Sequence, residues 1–109
     1  MAEAIAEQAA RLAFSNTFVD ASNGPSARLA AKLASLAPDD LNRVHFTTCG
    51  STAVDSAWRM AQFYQRAKGR PDKVQVIARD MSCHGSTYIG QSLGKRPGDR
   101  VPEFSYEAP

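Results

Sequence analysis

Two short apolar segments, separated by a long helical pattern, constrain the fold of this chain more than any other feature of its sequence. The segments at residues 44–48 and 74–78 are rich in β-branched and aromatic side chains, as strands are. Their starts lie about 30 residues apart, which is the length of a crossover between parallel strands. Because such crossovers are right-handed and carry a helix, the sequence predicts a β-α-β unit.

Helical periodicity and turn residues place four helices and an irregular tail around these strands. The helices are expected at about residues 3–15, 26–37, 52–68 and 86–93, and the tail at residues 95–109. The predicted order is therefore α-α-β-α-β-α, an α/β arrangement with parallel strands. Two parallel strands cannot make a covered sheet by themselves, so we expect a piece of a larger α/β domain.

Composition and charge exclude several classes of protein. Thirteen basic and eleven acidic residues leave a net charge of +2, too balanced for a dedicated nucleic-acid binder. No apolar run approaches the roughly 20 residues of a membrane span, and the acidic, alanine-rich start does not resemble a signal peptide. Cys49 and Cys83 form no CxxC pair, which suits a reducing compartment, so a cytoplasmic location is expected.

Size scaling predicts how much surface the folded chain exposes. A folded monomer of 11.8 kDa exposes roughly 5,900 Å², which leaves room for one modest core. Sheet edges and apolar helix faces would still be uncovered, with Trp58, Phe63 and Tyr64 on the long helix facing either the core or a partner. We therefore expect self-association into a homo-oligomer.

Both predicted strands run into a loop that contains Gly-Ser and then into a helix. The loops are Cys49-Gly50-Ser51 and Cys83-His84-Gly85-Ser86. In a parallel sheet these loops share the carboxyl edge, where α/β folds bind ligands and where helix N-termini attract anions. Gly50 would let the backbone approach a ligand, and the Ser51 hydroxyl would donate to a phosphate oxygen. The alternative is that Ser51 and Ser86 are only helix N-caps.

No metal site and no catalytic residue are expected in this chain. His84 is either a hydrogen-bonded structural residue or a base, and adjacent Cys83 and His84 would rarely both reach one tetrahedral ion. Nothing in the sequence marks either thiol as an activated nucleophile. None of the lysines is expected in the crevice at the carboxyl edge; they are Lys32, Lys68, Lys73 and Lys95.

Three motifs in order resemble the class III aminotransferases, pyridoxal-phosphate enzymes that include the omega-amino-acid:pyruvate transaminases. Residues 44–61 are similar to the family's hydrophobic strand, its Ser/Gly-Gly-Ser-Glu/Thr-Ala loop and the helix that follows. Residues 68–80 resemble its next turn and strand, and residues 83–87 its aromatic-His-Gly-Ser/Thr motif. The segment 25–34 resembles the helix before the first strand of the large domain.

The resemblance implies that residues 1–109 are part of the cofactor-binding large domain of fold type I. It implies that Gly50, Ser51 and Thr52 form the loop that holds the phosphate of pyridoxal 5'-phosphate, with Thr52 where glutamate is commoner. Cys83 would face the pyridine ring at a position where the family usually has an aromatic residue. His84, with the glycine after it, would shape the loop beneath the ring.

The resemblance also implies a reaction, the transfer of an amino group from an amine or omega-amino acid to a keto acid. In the family, the lysine that captures the cofactor and the aspartate that pairs with its ring nitrogen lie downstream of position 109. The chain alone is therefore expected to be inactive. Two other interpretations remain, a non-catalytic phosphate- or nucleotide-binding module, and a truncated paralogue that pairs with a full-length subunit.

Overall fold

The computed structural model describes residues 1–16, 18, 22–99, 101 and 103 of the chain. The chain divides into two units, Met1–His45 and Phe46–Pro109. Four α-helices lie near the positions where periodicity predicts them: α1 (Ala2–Arg11), α2 (Gly24–Leu36), α3 (Gly50–Ala67) and α4 (Tyr88–Leu93). The largest difference is at the end of α1, which stops four residues before the predicted position 15.

In the first unit, interactions of residues near the helix ends stabilise α1 and α2. The Glu7 carboxylate lies 2.7 Å from the Arg11 guanidinium one turn later, an exposed pair in the last turns of α1. The Asn23 side chain accepts a 2.9 Å hydrogen bond from the Ser26 N–H and so caps the start of α2. The helix ends at Leu36, since Pro38 disfavours helical backbone in the residue before it.

The second unit contains α3, α4 and the two loops that contain Gly-Ser. Helix α3 begins at Gly50, where the Thr52 hydroxyl accepts a 3.2 Å hydrogen bond from the Cys49 N–H. Helix α4 is one and a half turns long, is capped by the Thr87 hydroxyl and contacts α3. In the tail, the Arg96 guanidinium donates two hydrogen bonds to Asp99, of 2.7 and 2.8 Å. Residues 100, 102 and 104–109 of the expected tail lie outside the described residues.

The two predicted strands are not formed. Residues 44–48 and 74–78 have no regular secondary structure, and no strand occurs in the part of the chain that the structure describes. A strand exists only through its hydrogen-bonded ladder to a neighbour, and an isolated pair of strands is marginal even when its side chains favour a sheet. The α-α-β-α-β-α order is therefore not observed, and the described chain is helical.

The expectation of one modest core is also wrong. The chain exposes 9231 Å² of surface, well above the roughly 5,900 Å² of a folded monomer of this size. No hydrophobic side chain among the described residues is buried; Phe63 is 78% exposed and Ile77 is fully exposed. Without a sheet, the helices have no second layer against which to pack their apolar faces. No described helix is both long and apolar enough to cross a membrane.

Candidate functional site

The two loops that contain Gly-Ser meet within the second unit. The Ser86 N–H donates a 3.0 Å hydrogen bond to the Ser51 hydroxyl oxygen, across 35 residues of sequence. The loops line a cavity of about 340 Å³ that is open to solvent. Its lining residues are Gly50, Ser51, Val54, Cys83, His84 and Gly85. Four of the five predicted site residues therefore line one cavity, and Thr52 does not.

Ser51 lies in the first turn of α3 and is not its N-cap. The residue at the N-cap of α3 is Cys49, and the residue at the N-cap of α4 is Thr87. The alternative that Ser51 and Ser86 are only N-caps is therefore wrong for both serines. The Ser51 oxygen accepts from Ser86, and its hydroxyl can still donate one proton, which the Cys49 sulfur and a bound anion would compete for.

Thr52 is directed to the start of its own helix. Its hydroxyl oxygen accepts from the Cys49 N–H at 3.2 Å and donates to the Cys49 carbonyl at 2.9 Å. It also lies 3.2 Å from the hydroxyl of Thr48. These contacts fix the turn that precedes α3, so Thr52 supports the loop from outside the cavity.

The thiol of Cys49 is the strongest electrostatic feature at this helix start. Contacts of its sulfur, in order of size with the Thr52 backbone N–H, the Thr52 hydroxyl, the Ser51 N–H and the Ser51 hydroxyl, lower the pKa of Cys49 from 9.0 to about 7. The expectation that neither thiol is activated is therefore wrong for Cys49. A cysteine directly before a helix was the sequence signal, since helix N-termini stabilise thiolates. The same N–H groups favour negative charge at this end of α3.

Gly85 is required where the second loop approaches α3. Its φ of +110° lies in a region that residues with side chains rarely adopt. A Cβ atom there would lie 2.7 Å from the Cβ and 2.8 Å from the Cα of Ser51, far inside contact distance. On the other side of this loop, a Cβ at Gly90 would lie 2.8 Å from the His84 carbonyl oxygen. Glycine at both positions lets α3 and α4 enclose the loop closely.

A second long-range hydrogen bond holds the same loop. The Thr87 hydroxyl donates to the Asp55 carboxylate at 2.7 Å and accepts from the Gly90 N–H at 3.2 Å. Asp55 lies one helical turn after Ser51, so both residues share the face of α3 that meets the second loop. Neither Asp55 nor Thr87 is among the predicted site residues, although the spacing of four residues after Ser51 was the available signal.

His84 and Cys83 complete the cavity. The Nε2 atom of His84 is buried and has no hydrogen-bond partner, which is costly unless a ligand or water supplies one. Cys83 is a free, exposed thiol. Within the described ranges, no group of three or more His, Cys, Asp or Glu residues could hold a metal ion. The donors here, backbone N–H groups and a hydroxyl, instead suit an anion.

Comparisons with known proteins agree on one family. The family described as aminotransferase class-III matches residues 1–101. A probable aminotransferase of Mycobacterium tuberculosis is 40% identical over 100% of this chain and 26% of its own length. A putrescine–pyruvate aminotransferase of Pseudomonas aeruginosa is 40% identical over 86% of this chain and 21% of its own.

Solved structures give the same result. A thermostable (S)-enantioselective omega-transaminase from Thermomicrobium roseum superposes with a TM-score of 0.92 at 33% identity. The match covers 98% of this chain and 24% of that structure. The sequence given thus spans about a quarter of the length of these relatives.

Proposed function

Because this chain belongs to the class III aminotransferases, we propose that it supplies the phosphate-binding loop and the ring-facing loop of the large domain of such an enzyme. Members of this family depend on pyridoxal 5'-phosphate. The observation that carries the proposal is the Ser51–Ser86 hydrogen bond, because it joins two loops 35 residues apart around one cavity. We also propose that the complete domain has the α/β fold type I, because the chain resembles solved transaminases.

The residues around the cavity fit this cofactor. A phosphate monoester needs several donors, and the first turn of α3 carries the Ser51 and Thr52 N–H groups and the Ser51 hydroxyl, which contact the Cys49 sulfur in this structure and would turn to the bound phosphate. The lowered pKa of Cys49 indicates that this helix start favours negative charge. The unpartnered Nε2 of His84 is a buried polar atom that a ligand would satisfy. A cavity of about 340 Å³ is at the small end of the range for ligand pockets.

Four of the lining residues, Gly50, Ser51, Cys83 and His84, have defined tasks in this proposal. Gly50 leaves the backbone open to the phosphate, and the Ser51 hydroxyl donates to a phosphate oxygen while its own oxygen accepts from Ser86. Cys83 and His84 lie on the ring side, an assignment that rests on the family resemblance. When bound, the cofactor supplies the electron-withdrawing ring on which amino-group transfer depends. Thr52 has an indirect part, because it fixes the turn before α3.

The proposed reaction transfers an amino group from an amine or omega-amino acid to a keto acid. The name of the Pseudomonas aeruginosa relative supports this, since putrescine is an amine and pyruvate a keto acid. The chain by itself is expected to be inactive, because none of its lysines lines the cavity. Its exposed apolar side chains support assembly with further protein, in a homo-oligomer. Two free cysteines support a cytoplasmic location.

Replacing Ser51 tests the proposal. Ser51→Ala removes one donor to a dianion and should weaken binding of inorganic phosphate and of pyridoxal 5'-phosphate by about 1.5–3 kcal/mol, or roughly 10- to 150-fold. Calorimetric titration of the chain measures both affinities. The matched control is Ser35→Ala on α2, whose exposed hydroxyl bonds only to the Lys32 carbonyl. Equal phosphate affinity in Ser51→Ala and the control would contradict the proposed phosphate loop.

A further inference from the structure

We propose that Asp55 and Thr87 are positioning residues, whose hydrogen bond holds the Ser86 N–H against Ser51 and so directs the Ser51 hydroxyl proton to an anion in the cavity. This inference rests on the proposed function of the phosphate loop. Neither residue lines the cavity, and both act through Ser51 and Ser86.

The two hydrogen bonds together form a two-point attachment. Ser51 and Asp55 lie one turn apart on α3, and they contact the consecutive residues Ser86 and Thr87 at 3.0 and 2.7 Å. A single hydrogen bond would let the loop pivot about it, whereas two bonds along one helix face also fix the direction of the loop. The Ser86 N–H is the weaker, neutral donor, and the bond to the Asp55 carboxylate is charge-assisted and short. The Asp55–Thr87 bond is therefore the one that holds the Ser86 bond in place.

Two serines later in their helices use their hydroxyls differently from Ser51. The hydroxyls of Ser35 and Ser92 donate to the carbonyls of Lys32 and Tyr88 in the preceding turn. This back-bonding is the ordinary state of a serine in a helix. At Ser51 the Ser86 N–H occupies the hydroxyl oxygen from the loop side. A bound donor restricts the rotation of the hydroxyl, so its proton is confined to the side of the cavity and of the Cys49 sulfur.

Thr87 is suited to this task because both functions of its hydroxyl are used. It donates to Asp55 and accepts from the Gly90 N–H, which caps α4. The carboxylate of Asp55 thus holds the hydroxyl proton of Thr87, and the Gly90 N–H of α4 bonds to the oxygen of the same hydroxyl. Gly85 between the loop and α3 leaves the space that the approach requires. A side chain that only caps α4 would not need the bond to Asp55.

Three substitutions test the positioning role in the 109-residue chain. Thr87→Val and Asp55→Ala should each raise the hydrogen-exchange rate of the Ser86 amide about tenfold and weaken inorganic phosphate binding by a similar factor. Thr87→Ser keeps the hydroxyl and should restore both values. The double variant Asp55→Ala/Thr87→Val should lose no more than Thr87→Val alone, because the Asp55–Thr87 bond is already absent from that single variant. Asp80→Ala is the control, as an aspartate whose side chain is 87% exposed.

The outcomes separate this inference from the function on which it rests. If the wild-type chain binds phosphate and the variants bind it equally well, the positioning role is overturned and the phosphate loop stands. If the wild-type chain shows no saturable phosphate binding, the proposed function fails and the positioning role fails with it. Additive losses in the double variant would also overturn the inference, as would a Thr87→Ser variant that behaves like Thr87→Val. Helical circular dichroism equal to that of the wild type excludes a general loss of structure as the cause.

Discussion

The two units of this chain differ in how far their hydrogen bonds reach. Among the described residues of the first unit, the side-chain hydrogen bonds extend no farther than the eight positions between Ser15 and Asn23. In the second unit, Ser51 contacts Ser86 across 35 positions and Asp55 contacts Thr87 across 32. Local bonds set the ends of helices, whereas only long-range bonds bring separate loops together. The candidate site therefore lies in the unit that has the long-range bonds.

This difference predicts that the place where the two loops of the second unit meet is especially sensitive to an added carbon atom. Gly85→Ala would combine an unfavourable φ of +110° with close contacts to Ser51, at a cost of about 3 kcal/mol. We expect phosphate affinity to fall about a hundredfold, since 1.4 kcal/mol corresponds to a factor of ten. The measurement is the same calorimetric titration.

Gly69→Ala is the control for that substitution. Gly69 also has a positive φ, of +74°, but no atom lies within 4 Å of the position where its Cβ would be. Gly69→Ala therefore introduces the strain of a positive φ without a close contact to another side chain, and Gly69 does not line the cavity. A loss of phosphate affinity in Gly69→Ala as large as in Gly85→Ala would show that the close approach to Ser51 is not the cause.

The helix starts of the two units should also differ in their response to pH. Asn23 caps α2 with an amide that does not titrate, whereas Cys49 at the start of α3 has a pKa of about 7. The thiolate is the reactive form, so alkylation of Cys49 by iodoacetamide should be about fifty times faster at pH 7 than at pH 5. The rate should level off above pH 8, because the folded-state pKa is below the ordinary 9.0.

Peptide mapping of the alkylated chain measures this profile separately for each cysteine. In urea the hydrogen bonds that stabilise the Cys49 thiolate are lost. The pH at which alkylation of Cys49 reaches half its maximal rate should therefore rise toward 9.0. Thr52→Val removes the hydroxyl but keeps the backbone N–H, which lowers the pKa of Cys49 more than the hydroxyl does. In this variant the pH of half-maximal alkylation should rise, but not as far as 9.0. A midpoint near 9 in the folded chain would refute the influence of the helix start.

The smallest effect is expected from the cap in the first unit. Asn23→Ala removes the acceptor of the Ser26 N–H and should cost α2 about 1 kcal/mol, so that the Ser26 amide exchanges about fivefold faster. Since the bonds of this unit are local, the Ser86 amide should keep its exchange rate. Hydrogen exchange followed by nuclear magnetic resonance reads both amides in one sample, with Asn42→Ala as the control. A change at Ser86 would show that the two units are coupled.

The sequence alone predicted the local features of this chain well. Periodic apolar residues, together with Asn23 before α2 and Pro38 after it, placed the helices within a few residues of their observed bounds. The two loops were expected to meet at the carboxyl edge of a sheet, and Gly50, Ser51, Cys83 and His84 do line one cavity, although the described residues form no sheet. The helix bounds follow from spacing and from helix-end chemistry, which neighbouring residues determine.

What the sequence did not predict depends on distant partners. Residues 44–48 and 74–78 have the side chains of strands, but a ladder needs neighbouring strands, and none is formed in the described residues. The expected core is absent from the described residues for the same reason, because helices bury their apolar faces only against a second layer of structure. The Asp55–Thr87 bond and the lowered pKa of Cys49 arise from side-chain and backbone geometry that no periodicity encodes.

The close fit of Gly85 and Gly90 limits how this cavity can be redesigned. Any side chain at Gly85 meets Ser51, and any side chain at Gly90 meets the backbone of the second loop, so saturation libraries at these two positions should yield mostly clones with a distorted cavity and weakened phosphate binding. Among the cavity-lining positions, Val54 and the exposed Cys83 are the natural choices for changing its size. An engineer who wants a wider or narrower pocket should therefore randomise positions 54 and 83 and leave both glycines untouched.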